Sequence, residues 1–349
     1  MARVLVIGGG VMGLGAAWRL AQAGQTVTLV EKNATFGAEA TSAAAGMIGP
    51  QSEALEDDAY FAATLASRDR WPAFAEALSK TSSVDLGFHQ GGALHVAFGV
   101  SYEKRLEAKY LWQKRRAGQV QRLEGDELFA RFPMLARRTS CAFLAAGDYW
   151  VDNEALAIAL TDACIASGVE LRSGVEVKSL DNLGFDEILI AAGAWAGSLV
   201  PGYGHPVKGQ MLSFKVPSHL LPEVPIHGEN IYLVPRGKDR VLVGATVETV
   251  GFDKRITGEG IEWLLHDAFE TAPDLRNCEI DKTWAGLRPG TADGWPTVGA
   301  GDKPGLHLVL GAYRRGILFA PLLIEAAVAS VLGKPLPTEA LAFRPRVKA

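Results

Sequence analysis

The sequence is poor in cysteine: Cys141, Cys164 and Cys278 are the only three in 349 residues, far apart and with no C-x-x-C pair among them. That argues against a disulfide framework and suits a reducing cytoplasm. A surplus of positive charge is lacking too. With 35 Lys and Arg against 39 Asp and Glu the net charge is -4, so neither nucleic acid nor an anionic membrane surface is expected as a main partner. The short cluster Lys114, Arg115, Arg116 reads as the solvated end of a helix. No charged segment followed by a signal-length apolar run precedes the first strand. The most apolar late run, Gly316 to Gly333, is broken by Pro321 and Glu325, which favours a buried core helix over a membrane span. There is no G-x-S-x-G and no His or Cys cluster with metal-ligand spacing, so neither a nucleophile elbow nor a metal centre is expected.

What is present first is a strand, turn, helix, strand unit from Arg3 to Glu31. Val4 to Ile7 form an apolar run suited to a buried parallel strand, and Gly8, Gly10 and Gly13 make a G-x-G-x-x-G turn behind it. Gly8 permits the tight turn, Gly10 lets the backbone approach a pyrophosphate, and Gly13 lets the helix pack closely on the strand. Glu31 closes the second strand, where an acid can accept hydrogen bonds from a ribose and disfavours a 2′-phosphate. An adenine dinucleotide is therefore expected. Only one such motif exists, since Gly202-Tyr203-Gly204 lacks a third glycine at the right offset.

Length and pattern point to one large α/β body or two intertwined domains. After a small-residue loop at Asn33 to Pro50, Asp57 to Lys80 reads as a helix, Val84 to Val96 as strand-like, Tyr102 to Ala117 as a charged surface helix and Leu123 to Phe132 as a short one. Asp152 is an N-cap for a helix over Glu154 to Ser167; Val169 to Arg172, Val175 to Leu180 and Glu187 to Ala191 read as strands. Val207 to Phe214, Ile231 to Arg236 and Arg240 to Val247 alternate as strands do, Ile261 to Thr271 reads as a helix, and Leu306 to Leu310 is a last strand before the final helix. The expected fold is α/β: a Rossmann-like cofactor domain built from residues 1–80, 145–205 and 285–349, with an inserted antiparallel-sheet α+β substrate domain from 81–144 and 206–284.

Four stretches carry a family resemblance: VIGGGVMG at Val6 to Gly13, TSAAAGM at Thr41 to Met47, YLVPR with VGAT between Tyr232 and Thr246, and WAGLRPGTADGWPTVG at Trp284 to Gly299 followed by GAYRRGILFAP at Gly311 to Pro321. In these the chain resembles the D-amino-acid oxidase superfamily of flavoproteins, within it the glycine oxidases of thiamine biosynthesis. The resemblance runs nearly end to end. It implies non-covalent FAD and oxidation of glycine or a related small, N-substituted or D-amino acid. Hydride passes from Cα to flavin N5, giving an imino acid that hydrolyses to an oxo acid plus ammonia or an amine, with oxygen converted to hydrogen peroxide. Covalent flavin attachment normally uses a cysteine near the flavin in the C-terminal region, and none follows Cys278.

The resemblance also implies roles for residues. Arg288, in a Gly-Leu-Arg-Pro-Gly turn, binds the substrate carboxylate, Tyr232 donates its hydroxyl to the same group, and Arg314 lies near substrate and flavin. A guanidinium suits this task because it can hold a carboxylate bidentately. To the cofactor it assigns Gly8, Gly10, Val11, Met12, Gly13, Glu31 and Lys32 from the first unit, and Thr41, Ser42, Ala45, Gly46 and Met47 from the small-residue loop. Val177, Gly193, Gly311 and Tyr313 to Leu318, the last run including Arg314, Arg315, Gly316 and Ile317, complete the set. The final turn places helix N–H groups, from Gly316 on, toward the flavin pyrimidine, with Pro321 read as a tolerated first-turn proline. Histidines such as His227 read as structural, solvated or pocket-lining rather than basic, and Lys208 as a surface strand lysine or a cation near the oxygen-reacting face.

Alternatives remain open at this level. One is an oxidase for a bulkier N-substituted glycine such as iminodiacetate or sarcosine, for which Val247 leaves room. Others are a quinone-linked amino acid dehydrogenase, a flavin-dependent tRNA-modification module, and a flavin-binding module without turnover. The oligomeric state, a homo-oligomer included, is not readable.

Overall fold

The computed structural model describes residues 1–345 except Leu55, Asp57, Ala117 and Gly118. A strand buried on both faces needs mostly apolar side chains, and Arg3–Ile7, Thr26–Glu31, Glu187–Ile190 and Leu306–Leu310 have them at their centres, with Thr28 and His307 as interior polar exceptions. Among the described residues they form a sheet in the order Thr297–Ala300, Leu306–Leu310, Glu187–Ile190, Arg3–Ile7, Thr26–Glu31, Glu170–Ser173. All neighbours are parallel except the outermost, Thr297–Ala300. Helices Val11–Gln22, Asn153–Ala166 and Gly316–Val331 cover one face, with Ala59–Ser79 packed outside them and Trp18 and Trp71 fully buried between.

The last helix is apolar apart from Glu325 and Ser330 because it is enclosed on nearly every side. No helix among the described residues is long and apolar enough to cross a membrane. Pro321, expected in the first turn, falls in the second, where it removes an N–H and crowds the carbonyl four residues back. The neighbouring helix repairs the local bonding. Ser67 Oγ donates to the Leu318 carbonyl at 2.8 Å and accepts from the Leu322 N–H at 3.4 Å, while Trp71 Nε1 donates to the same carbonyl at 3.2 Å.

The second sheet runs in the order Glu279–Gly290, His205–Lys215, Arg240–Gly244, Tyr232–Arg236, Ile226–His227, Ala93–Ala97, Cys141–Ala145, Val120–Leu123. It is antiparallel except where Ile226–His227 meets Ala93–Ala97. Helix Gly258–Thr271, capped by Thr257, packs on it through Leu264 and Ala268. Helix Val100–Arg116 covers Ala97, Cys141 and Phe143 with Leu106 and Tyr110.

Several elements depart from expectation. The Glu279–Gly290 strand has no counterpart in the pattern, because an edge strand with Gly286, Pro289 and mixed burial shows little alternation. It runs straight through position 285, the expected division between the domains. Val175 to Leu180 is not a strand: Gly174, at φ +71°, turns the chain off the sheet edge, and Val177 and Leu180 instead cover Leu5, Ile7 and Val30 on the sheet face. Within Val84 to Val96 only Ala93–Ala97 pairs continuously, preceded by a loop that bridges once, at His89 with Trp150. Leu123 ends a strand, and the short helix is Gly125–Arg131. The Arg240 strand stops at Gly244 rather than Val247. Of the charged cluster, Lys114 and Arg115 are exposed near the helix end. The expected helix ends at Asp57 and Ala117, and the Arg116 side chain, lie outside the described residues.

Candidate active site

A cavity of about 890 Å³ runs from the first βα turn to the second sheet. Its nucleotide end is made by main chain. Gly8 has φ +110°, and a Cβ there would lie 2.4 Å from the Ala191 carbonyl oxygen; a Cβ at Gly13 would lie 1.8 Å from that of Gly8. Gly13 thus sits beneath the turn without lining the cavity, as its packing role requires, while Gly8, Gly10, Val11 and Met12 line it. Glu31 is buried: Oε2 accepts from the Gly9 N–H at 2.7 Å, and Oε1 accepts from the Asn33 N–H and Nδ2 at 2.9 and 2.7 Å. Thr41 Oγ1 accepts from the Val11 N–H at 3.0 Å, so the small-residue loop is fastened to the helix start. Ala45, Gly46 and Met47 line the cavity; Ser42 does not, its carbonyl being held by Asn153 instead. Lys32, stacked on the Trp195 ring at 3.1 Å, Val177 and Gly193 complete this end.

At the other end side chains converge from separate strands. Arg288 lies in the Glu279–Gly290 strand, not in a turn. Its Nη1 donates to the carbonyls of Lys208 and Thr246 at 3.2 and 3.0 Å. Both main-chain bonds leave from one nitrogen, so the Nε and Nη2 hydrogens keep the fork geometry that suits a carboxylate. Room for the guanidinium comes from Gly209 on the next strand, where a Cβ would fall 2.4 Å from Nη2. Tyr232 is accommodated in the same way over Gly244, where a Cβ would fall 2.6 Å from the phenol oxygen. Burial pushes the Tyr232 phenol up, with Arg288 and Arg314 pulling part of the way back, so both cations bear on that hydroxyl.

The turn Gly311 to Arg315, in which Tyr313 has φ +45°, brings Arg314 and the start of the last helix, Gly316 to Leu318, to the same cavity. Arg314 pairs with Glu53 at 3.5 Å. Arg315 turns toward Tyr60 and the Glu53 carbonyl at 3.0 and 2.9 Å and stacks on the Tyr60 ring. Burial raises the Glu53 carboxyl, but Arg314 and Arg315 outweigh it and hold the group below the usual range.

Sequence reasoning missed Glu53, Gly209, Gly244 and Ser52. Glu53 follows a loop notable only for small residues, and the two glycines act through strand register, which no spacing displays. His227 lines the cavity beside Tyr232 and stacks flat on buried His95, centroids 4.4 Å apart; burial drives its pKa to about 4. His95 in turn bonds Ser52 Oγ at 2.7 Å, and Ser52 donates to Asp148. Lys208, read as a surface lysine, is 1 % exposed and paired with Glu248 at 3.0 Å. It sits on the opposite face of its strand from Gly209 and Arg288. Val247 is exposed at the cavity mouth.

Known proteins share this architecture. The chain is 33 % identical to the glycine oxidase of Geobacillus kaustophilus, over 91 % of this chain and 90 % of that one. The crystal structure of glycine oxidase from Geobacillus kaustophilus superimposes with a TM-score of 0.93 at 31 % identity, covering 100 % of both chains. The crystal structure of iminodiacetate oxidase from Chelativorans sp. BNC1 does so with a TM-score of 0.89 at 28 % identity, over 98 % of this chain and 99 % of that one. Residues 3–329 match the model of the D-amino-acid oxidase type, described as FAD dependent oxidoreductase. With that match spanning nearly the whole chain and the dinucleotide turn opening into a cavity that ends at Arg288, the protein belongs to the FAD dependent oxidoreductase family.

Proposed function

We propose that the protein oxidises glycine or a small N-substituted glycine, holding the substrate carboxylate on Arg288 and Tyr232 at the far end of the cavity from the nucleotide turn. The observation that carries this is the Arg288 guanidinium, anchored to two main-chain carbonyls through one nitrogen and lining, beside Tyr232, the cavity that begins at the glycine turn. FAD fits the residues present: Gly8, Gly9 and Gly10 bring bare main chain to the cavity wall, Gly8 and Gly13 pack too closely on main-chain carbonyls to admit a Cβ, and the Glu31 carboxylate keeps acceptor capacity for a ribose beyond its three N–H donors. FAD held there would supply the hydride acceptor for the substrate Cα and the route of the electrons to oxygen.

The chain's own residues orient. Arg288 and Tyr232 fix the carboxylate, which fixes where Cα lies. Glu53, kept anionic by two arginines, holds Arg314 at the cavity wall. The start of the last helix presents its N-terminal dipole end where negative charge would develop. The cysteines support a dissociable cofactor in a reducing compartment: all three are unpaired and none lines the cavity. Acid denaturation should release all flavin into the supernatant.

A second reading, a bulkier N-substituted glycine such as iminodiacetate, is favoured by Arg314, a second guanidinium on the cavity with 42 % of its side chain exposed. Anaerobic mixing of the yellow protein with glycine, sarcosine, D-alanine, D-proline and iminodiacetate tests both readings. Rapid bleaching by one of the glycines, with colour and peroxide appearing on admission of air, is expected. No bleaching by any of the five would remove the proposal, and bleaching without recovery in air would point to a quinone acceptor.

A further inference from the structure

We propose that the ion pair between buried Lys208 and part-exposed Glu248 is the positioning element for Arg288, setting the direction in which its guanidinium faces the substrate. This rests on Arg288 being the carboxylate clamp. Lys208 lies on the face of the His205–Lys215 strand opposite Arg288 and is only 1 % exposed, while its partner Glu248 reaches the cavity wall. An apolar residue would serve packing there without the desolvation penalty of an ammonium. What the charge provides is a hold on the segment after the Arg240–Gly244 strand.

That segment leaves the regular ladder at Gly244 and stays joined to the neighbouring strand at Thr246, whose N–H donates to the Gln210 carbonyl at 3.2 Å and whose Oγ1 accepts from the Gln210 N–H at 2.8 Å, and then through an isolated bridge. The Lys208 N–H donates to the Glu248 carbonyl at 2.9 Å and the Glu248 N–H to that of Lys208 at 3.0 Å. The Glu248 carboxylate secures it. One oxygen meets Lys208 Nζ at 3.0 Å; the other accepts from Thr246 Oγ1 at 2.5 Å and Gln210 Nε2 at 2.9 Å. Gln210 is itself clasped by Thr257, the cap of the covering helix: its Nε2 donates to Thr257 Oγ1 at 2.9 Å and its Oε1 accepts from the Thr257 N–H at 2.8 Å. The carboxylate thereby gathers Lys208, Gln210 and Thr246 at one point. The carbonyls of Lys208 and Thr246 are the two acceptors of Arg288 Nη1. Relaxing the pair separates those carbonyls, and the guanidinium loses its aim while keeping its charge.

The test uses the FAD-loaded protein with Glu248→Gln, Lys208→Met, the double variant and Arg288→Ala. Acetate affinity is read from the flavin absorbance change, FAD affinity by titration, and KM and kcat with the best substrate. Each charge variant should weaken acetate binding and raise KM at least about fivefold, with FAD affinity within about twofold of the parent. The double variant should lose no more than the weaker-binding single, because the two residues act as one unit. Should a single variant fail to fold around an unpaired buried charge, the double variant, which leaves none, carries the test. A double variant that binds acetate like the parent, while Arg288→Ala does not, overturns the proposal and leaves the clamp intact. A double variant that loses FAD in parallel with acetate overturns it too, since the pair would then be merely structural. Parental acetate binding by Arg288→Ala removes the clamp, and this inference with it.

Discussion

The two ends of the cavity are built from different materials. At the nucleotide end the binding surface is main chain, shaped by glycines within a few residues of one another and by a parallel sheet that continues through Glu187–Ile190. At the end proposed for the substrate it is side chain: Arg288, Tyr232 and Arg314 arrive from three segments, two of them given room by a glycine on an adjacent strand. A phosphate can be bound by any backbone that approaches closely, so local chain geometry suffices there. A carboxylate held against a reacting carbon demands directed donors, which only register and packing can place. The first end is tolerant of what the rest of the chain does; the second depends on the whole sheet.

That difference is most open to attack where a single methyl group decides. Gly13→Ala puts a Cβ 1.8 Å from the Gly8 carbonyl, so the turn must shift and the purified protein should lose its yellow colour. Parental flavin content per chain would show that the turn is not the cradle. Glu31→Ala should be milder, weakening FAD affinity by roughly ten- to a hundredfold through loss of a charged acceptor worth about 1.5 to 3 kcal/mol, with substrate preference unchanged. An unaltered FAD dissociation constant would rule out its role.

Gly209→Ala applies the same device to the other end. Its Cβ would lie 2.4 Å from Arg288 Nη2, and overpacking of about 1 to 3 kcal/mol should cut kcat/KM by about five- to a hundredfold with FAD fully retained. Losing FAD and activity together would erase the distinction between the two ends.

The smallest effect concerns pH. Burial brings the His227 pKa down to about 4, Glu53 is held below its ordinary value by Arg314 and Arg315 against its burial, and burial pushes Tyr232 above its own. Over the neutral range these three each keep one protonation state: neutral imidazole, carboxylate, phenol. Activity should therefore rise with pH as the substrate amine itself loses its proton, and the inflection should move when a substrate of different basicity is used. An inflection fixed across substrates would mean that an enzyme group titrates instead.

The same contrast accounts for what could be read from the chain alone. The dinucleotide unit was legible because its determinants are contiguous: Gly8 and Gly13 flank one turn, and Glu31 ends the next strand. Arg288 could be singled out through family resemblance, but its setting could not, since Glu279–Gly290 is an edge strand whose side chains do not alternate cleanly. Gly209 and Gly244 matter through cross-strand placement, Glu53 through a fold that returns it to Arg314, and Lys208 through its ion pair with Glu248. None of those facts is encoded within a window of neighbouring residues. Val175 to Leu180 shows the converse: Val177 and Leu180 cover a sheet face from a loop, so an apolar pattern without a ladder reads as a strand.

The central claim is that Arg288 holds the substrate carboxylate, and anaerobic flavin bleaching by the best amino acid tests it most directly in Arg288→Ala and Arg288→Lys. The bidentate contact is worth about 1.5 to 3 kcal/mol and its orienting effect adds to that. Arg288→Ala should lose at least about tenfold in kcat/KM with parental FAD content, and Arg288→Lys, which keeps the charge but not the planar fork, should regain only part. If Arg288→Ala instead bleaches with the parent's rate and concentration dependence, the carboxylate is held elsewhere, and Arg314 is the residue to change next.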